Sequence, residues 1–144
     1  MRRLVIQISL LILLQLTFSP ALSAQKNSGY GPEVKSFLEL MRHEEDELEF
    51  QIKHNEISRR DYLRSKTQIA IHRQTVLDLV KESGEDNVPE LHVVTTSEVD
   101  QLIEDGTNLL KTIKLGEQIG TKWRYLGSVH RGEIFYIFER LSVR

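Results

Sequence analysis

Cysteine is absent from the 144 residues, so neither a disulfide framework nor a thiolate metal centre is available and the fold must be held by its core. There is no Asn-x-Ser/Thr sequon. The one long apolar run, Leu4 to Leu16, is shorter than the roughly 20 residues of a bilayer span and is interrupted by Gln7, Ser9 and Gln15. Basic excess is missing too: 19 Lys and Arg stand against 21 Asp and Glu, which argues against general binding to nucleic acid or anionic membranes. Motifs of catalysis are equally scarce. The five histidines, at 43, 54, 72, 92 and 130, form no HExxH or HxH spacing, and no serine has the glycine pattern of a nucleophile elbow. Gly116, Gly120, Gly127 and Gly132 precede no helix that would make them a phosphate loop.

What is present begins with an export signal. Arg2 and Arg3, the apolar run, Pro20 and then Ala21-Leu22-Ser23-Ala24 predict a signal peptide over 1–24, cleaved after Ala24. No cysteine follows the apolar run to carry a lipid. Loss of two arginines leaves 17 basic against 21 acidic residues, a net charge of −4. Residues 25–31, small and polar, predict a flexible leader. Residues 32–144 then make about one domain. The missing cysteines and sequon fit a bacterial envelope protein, secreted or periplasmic, with no stable membrane span after cleavage.

Residues 32–83 predict an antiparallel helical hairpin. Pro32 suits a first helical turn, and Val34, Leu38, Met41, Glu45, Leu48 and Ile52 recur at the four-three spacing of a helix packed along another. Asn55-Glu56-Ile57-Ser58 reads as the turn, with Ser58 as N-cap and Asp61 three residues on. In the second helix Tyr62, Ile69, Val76 and Leu63, Ala70, Leu77 repeat at sevens, Val80 extends the stripe, and Gly84 supplies the C-cap. Acidic Glu44, Glu45, Asp46, Glu47 and Glu49 face basic Arg59, Arg60, Arg64 and Lys66, which sets Glu49 near Arg64 and Glu45 near Lys66 or Gln68. His43 and His72 could approach one another here as a divalent-metal site, but solvated helix-surface histidines are the better reading, and neither metal nor cofactor is expected.

Leu48, Ile52, Asn55-Glu56-Ile57-Ser58 and Tyr62 resemble the leucine, leucine, glycine, isoleucine, serine, aromatic pattern of the bacterial SHOCT-like hairpin module, with Asn55 where that module has glycine. The resemblance covers about twenty residues and implies an oligomerising or scaffolding hairpin.

Glu85 to Pro89 is a polar connection. Residues 90–141 predict a small β-α-β-β unit: a strand at Leu91–Val94, a helix opened by the capping box Thr95 and Glu98 with Val99, Leu102, Ile103, Leu109, Leu110 and Ile113 on one face, and a C-terminal β-hairpin. Asp105-Gly106 is where that helix could break. The fold class is therefore α+β, a helical hairpin packed with a three-stranded sheet that is at least partly antiparallel.

The hairpin holds the only tryptophan and concentrates aromatic residues. A two-residue turn at Arg131-Gly132 pairs Val129 with Ile134, Gly127 with Tyr136, Tyr125 with Phe138 and Trp123 with Arg140 on one face. On the other it pairs His130 with Glu133, Ser128 with Phe135, Leu126 with Ile137, Arg124 with Glu139 and Lys122 with Leu141. A longer turn shifts the register and exchanges the faces. The face with Leu126, Phe135, Ile137 and Leu141 is the expected core. The aromatic face, Trp123, Tyr125, Tyr136 and Phe138, is either buried under a helix, the favoured option in so small a domain, or a binding face for a sugar, glycan strand or peptide.

The expected function is that of an exported noncatalytic interaction module. Its candidate binding residues are Trp123, Tyr125, Tyr136, Arg124 and Arg140, with no catalytic or metal residue. Its partner is a protein or envelope component, a second copy of the chain included, and not nucleic acid. The alternative is a small envelope enzyme or ligand-binding protein with its site on the aromatic face, flanked also by His130.

Overall fold

A computed structural model describes residues 29–142; the expected signal peptide, 1–24, and the leader as far as residue 28 lie outside the described residues. Two long helices come first. Helix α1, Pro32–Lys53, opens with Pro32 in its first turn. Its first amides are capped from far along the chain: Asp86 accepts from Glu33 N–H and Val34 N–H, each at 3.0 Å, and Glu33 returns the favour by accepting from Val88 N–H at 2.8 Å. The connection Glu85 to Pro89 thereby ties the start of the sheet to the start of the hairpin. Gly31 is required by this arrangement, because a methyl group there would overlap the Asp86 carboxylate.

Helix α2, Arg59–Ser83, is bounded as its sequence predicts. Ser58 Oγ accepts from Asp61 N–H at 3.1 Å, and Gly84 closes the helix in the left-handed conformation at φ 73°. In the turn between the helices Asn55 itself takes positive φ, 58°, the conformation that asparagine tolerates best after glycine. The hairpin is antiparallel, since Glu49 meets Lys66 at 2.8 Å and Glu45 meets Arg73 at 2.9 Å. These pairs correct the expected ones: Arg64 leaves the helical seam altogether and binds Glu133 in the β-hairpin at 2.9 Å. The apolar stripe is also rotated. Phe37 and Ile71 are buried while Leu63 and Ala70 face solvent, because α2 turns toward the sheet as well as toward α1.

The sheet has four antiparallel strands, not the three expected: β1 (Leu91–Thr95), β2 (Gln118–Ile119), β3 (Trp123–His130) and β4 (Ile134–Arg140), in the order β1-β4-β3-β2. The additional strand is β2, two residues on the edge beside Trp123 and Arg124. The segment between β1 and β2 is a pair of short turns, α3 (Val99–Leu102) and α4 (Gly106–Leu109), rather than one helix. Asp105 takes the left-handed conformation at φ 54°, and the chain doubles back so tightly that a methyl on buried Gly106 would stand 2.9 Å from Val99 Cγ2. Asp100 fastens the fold-back by accepting from Thr107 N–H at 2.8 Å and Thr107 Oγ1–H at 2.7 Å. Those two bonds hold its carboxyl below the usual aspartate range, the backbone bond being the larger cause.

The β3–β4 register is split. Trp123↔Arg140, Arg124↔Glu139 and Tyr125↔Phe138 pair as expected, but the distal pairs are Gly127↔Ile137, Ser128↔Tyr136, Val129↔Phe135 and His130↔Ile134. The turn has three residues, Arg131 to Glu133, and a bulge between Tyr125 and Gly127 absorbs the extra residue, Leu126. Val129 consequently sits on the face of Phe135 and Ile137, not with the aromatics.

The sheet is covered on both faces. Toward the helices, Ile71 packs with Phe135 and Ile137, joined by Val93, Leu126 and Val129. On the opposite face Val99 and Ile103 pack with Tyr125 and Phe138, and Leu102, Leu109, Leu110 and Ile113 complete the layer. Burial of one such large side chain contributes on the order of 2 kcal/mol, so in a chain without cysteine these two layers, together with the buried helix residues Val34, Phe37, Met41, Val76 and Val80, carry the stability.

Candidate functional site

The five candidate residues are on two faces. Trp123, Tyr125 and Tyr136 lie on the face covered by the α3–α4 segment. Tyr125 is 9% exposed and stacks on fully buried Phe138 at 5.4 Å between ring centroids; Tyr136 is half-buried. Trp123, at the margin, is half-buried and meets His92 edge to face at 4.9 Å. Arg140, across from it, reaches Glu90 at 3.1 Å, and Glu90 also approaches His92 at 3.4 Å. Arg140, then His92, hold the Glu90 carboxyl below its usual range. Arg124 is exposed on the helix side of the sheet and pairs with Glu139 at 3.3 Å. Of the predicted group, then, Trp123 and Arg140 share an accessible margin, Tyr125 belongs to a core layer, and Arg124 points elsewhere.

Histidines 43 and 72 do not converge on a ligand set. His72 packs its ring on Phe37 at 5.3 Å, and burial, then the charge of His92, pushes its pKa down. Among the described residues no three His, Asp or Glu side chains are grouped to hold a metal ion. No helix among the described residues is long and apolar enough to cross a membrane.

Periodicity did not point to the accessible feature of the sheet, which is one of its edges. The β1 edge is partly closed by side chains: Gln68 Nε2 donates to Val93 O at 3.1 Å, and Glu98 accepts from Thr95 N–H at 2.7 Å. On the far edge, Tyr125 N–H donates to Glu117 O at 2.9 Å and Tyr125 O accepts from Gly116 N–H at 2.8 Å. Beyond Tyr125 the chain of β2 has turned away. Arg131 N–H donates to Glu133 O at 2.9 Å, a bond that flanks the His130↔Ile134 pair and makes it a non-hydrogen-bonded one. The N–H and C=O of His130 therefore point away from β4, and alternation turns those of Ser128 the same way. They have no other backbone partner among the described residues.

This open edge borders two adjoining clefts between α2 and β3, of about 610 and 560 Å³, which share Thr75, Asp78 and Val129. Their floor is apolar, from Ile71 to Leu126 and Ile137, and Leu115, 76% exposed, stands at the rim over Gly127. The ends differ in sign. Arg131 lies at the turn end, with Arg73 and Lys66 already paired to glutamates; Asp78 lies where the two clefts adjoin, and Glu82 at the other end.

No protein-family model, curated protein or solved structure matches this chain.

Proposed function

We propose that this is an exported, noncatalytic interaction domain, acting in the periplasm or outside the cell by docking onto a protein or envelope component. The observation that supports the reading is the open stretch of β3 beside an apolar cleft, since unpaired strand groups next to apolar surface are what protein partners use. The signal sequence supports the export. Light scattering on the purified chain, with retention of partners from an envelope extract, tests it. A strict monomer that retains nothing removes the reading.

A second reading places a small ligand or an enzyme's substrate on the aromatic hairpin face, with Trp123, Tyr125, Tyr136, Arg124 and Arg140 as its residues. It draws on the accessible margin where Trp123, His92 and Arg140 meet. Titration of glycans and peptides against Trp123 emission tests it, and an emission indifferent to both sinks it.

A further inference from the structure

We infer that the occupant of the open β3 edge is a second copy of the same chain, paired antiparallel about a two-fold axis at Val129. The inference rests on the interaction-domain reading and names its partner. With Val129 on the axis, Ser128 of each copy stands opposite His130 of the other. Both residues turn their N–H and C=O outward, so the two pairs are of the hydrogen-bonded kind and close four N–H···O=C bonds. The same register puts Arg131 opposite Gly127 of the second copy, in the cleft that Asp78 and Glu82 line.

Charge selects this arrangement. Charged side chains along an exposed strand guard it against pairing, whereas here Arg131 stands at the turn end and the acidic Asp78 and Glu82 come from α2, beside the cleft, with Glu82 at the end away from the turn. Antiparallel self-pairing brings each basic end onto the acidic end of its mate, as an isologous two-fold contact requires; parallel pairing sets like on like. The charges are also available. Among the described residues Arg131 and Glu82 form no ion pair, and Asp78 accepts only from Gln74 Nε2, at 2.9 Å. The apolar floor beside the edge provides surface for the mate's α2 and Leu115 to cover. So short an edge makes a weak dimer, with mass that rises with concentration and falls with salt.

Sedimentation equilibrium over a wide concentration range, on the full chain as recovered, tests this. Arg131→Glu alone and the double variant Asp78→Lys/Glu82→Lys should each weaken self-association at least tenfold. Mixed in equal amounts they should restore it, because the mixed pair matches charge at both ends. Ser128→Pro removes an outward donor without touching the β4 ladder and should also abolish the dimer while circular dichroism and melting temperature hold. A chain that is monomeric throughout overturns the inference. So does a dimer that survives Ser128→Pro, or a mixture no more associated than its parts. A monomer that still retains an envelope partner refutes self-pairing alone; a monomer that retains nothing refutes the interaction reading with it.

Discussion

Asp86 offers a sharp test of how the two halves of the chain are joined. Its carboxylate accepts from two amides at the start of α1, Glu33 N–H and Val34 N–H, although it lies 53 and 52 residues away from them. An N-cap acceptor contributes about 1 kcal/mol, and a negative charge at a helix N-terminus adds about 0.3 to 1 kcal/mol. Loss of Asp86 also loosens the connection whose Val88 N–H is held by Glu33. Asp86→Ala should therefore destabilise by about 2 kcal/mol, roughly an 8 °C drop in melting temperature for a domain of this size. Asp86→Asn keeps one acceptor without the charge and should lose about half as much. Gly31→Ala pushes the carboxylate off its amides, so it should resemble Asp86→Ala and add little to it in the double variant. Urea and thermal unfolding of the four proteins decide the matter. Full additivity, or an Asp86→Ala melting temperature within about 1 °C of the parent, refutes the cap as a tie between the halves.

Three further outcomes are expected. Because burial lowers the His72 pKa from 6.5, the unfolded chain takes up that proton first, and stability should fall as pH drops from 6.5 through the lowered value; urea midpoints across that window should flatten in His72→Gln. Gly106→Ala must displace Val99, which is fully buried, and should cost about 1 to 3 kcal/mol in denaturant unfolding. Trp123, half-buried against His92, should emit at intermediate wavelength and be quenched by acrylamide less than a free indole but more than a core one; emission at either extreme contradicts its place at the margin.

The helix ends were legible because their signals are local: Pro32, Ser58 and Gly84 each act within a turn of their own position. Long-range effects escaped. Nothing near Asp86 in sequence marks it as the cap of α1, and β2, at two residues, is too short for any periodicity to show. Ile71 fell outside the counted heptad positions, because α2 packs on both a helix and a sheet and its buried face is set by the two together. In the hairpin, the proximal pairs match those of a two-residue turn because the three-residue turn and the Leu126 bulge compensate one another, and neither leaves a mark on the alternation. The aromatic cluster was legible as a unit. Its coverage depended on the fold-back at Asp105, and the open edge depended on where β2 ends.

The Leu126 bulge divides the hairpin into two parts that can change independently. Trp123 and Tyr125 keep their partners under the α3–α4 layer whatever the turn does, because a gain or loss of one residue beyond the bulge can be taken up there before it reaches them. The distal part, from Gly127 through the turn to Ile134, is held at its tip by Arg64 through Glu133. Substitutions there can alter the exposed edge while the core beneath the aromatic layer stays as it is, which makes the bulge a boundary between a half fixed by packing and a half open to variation.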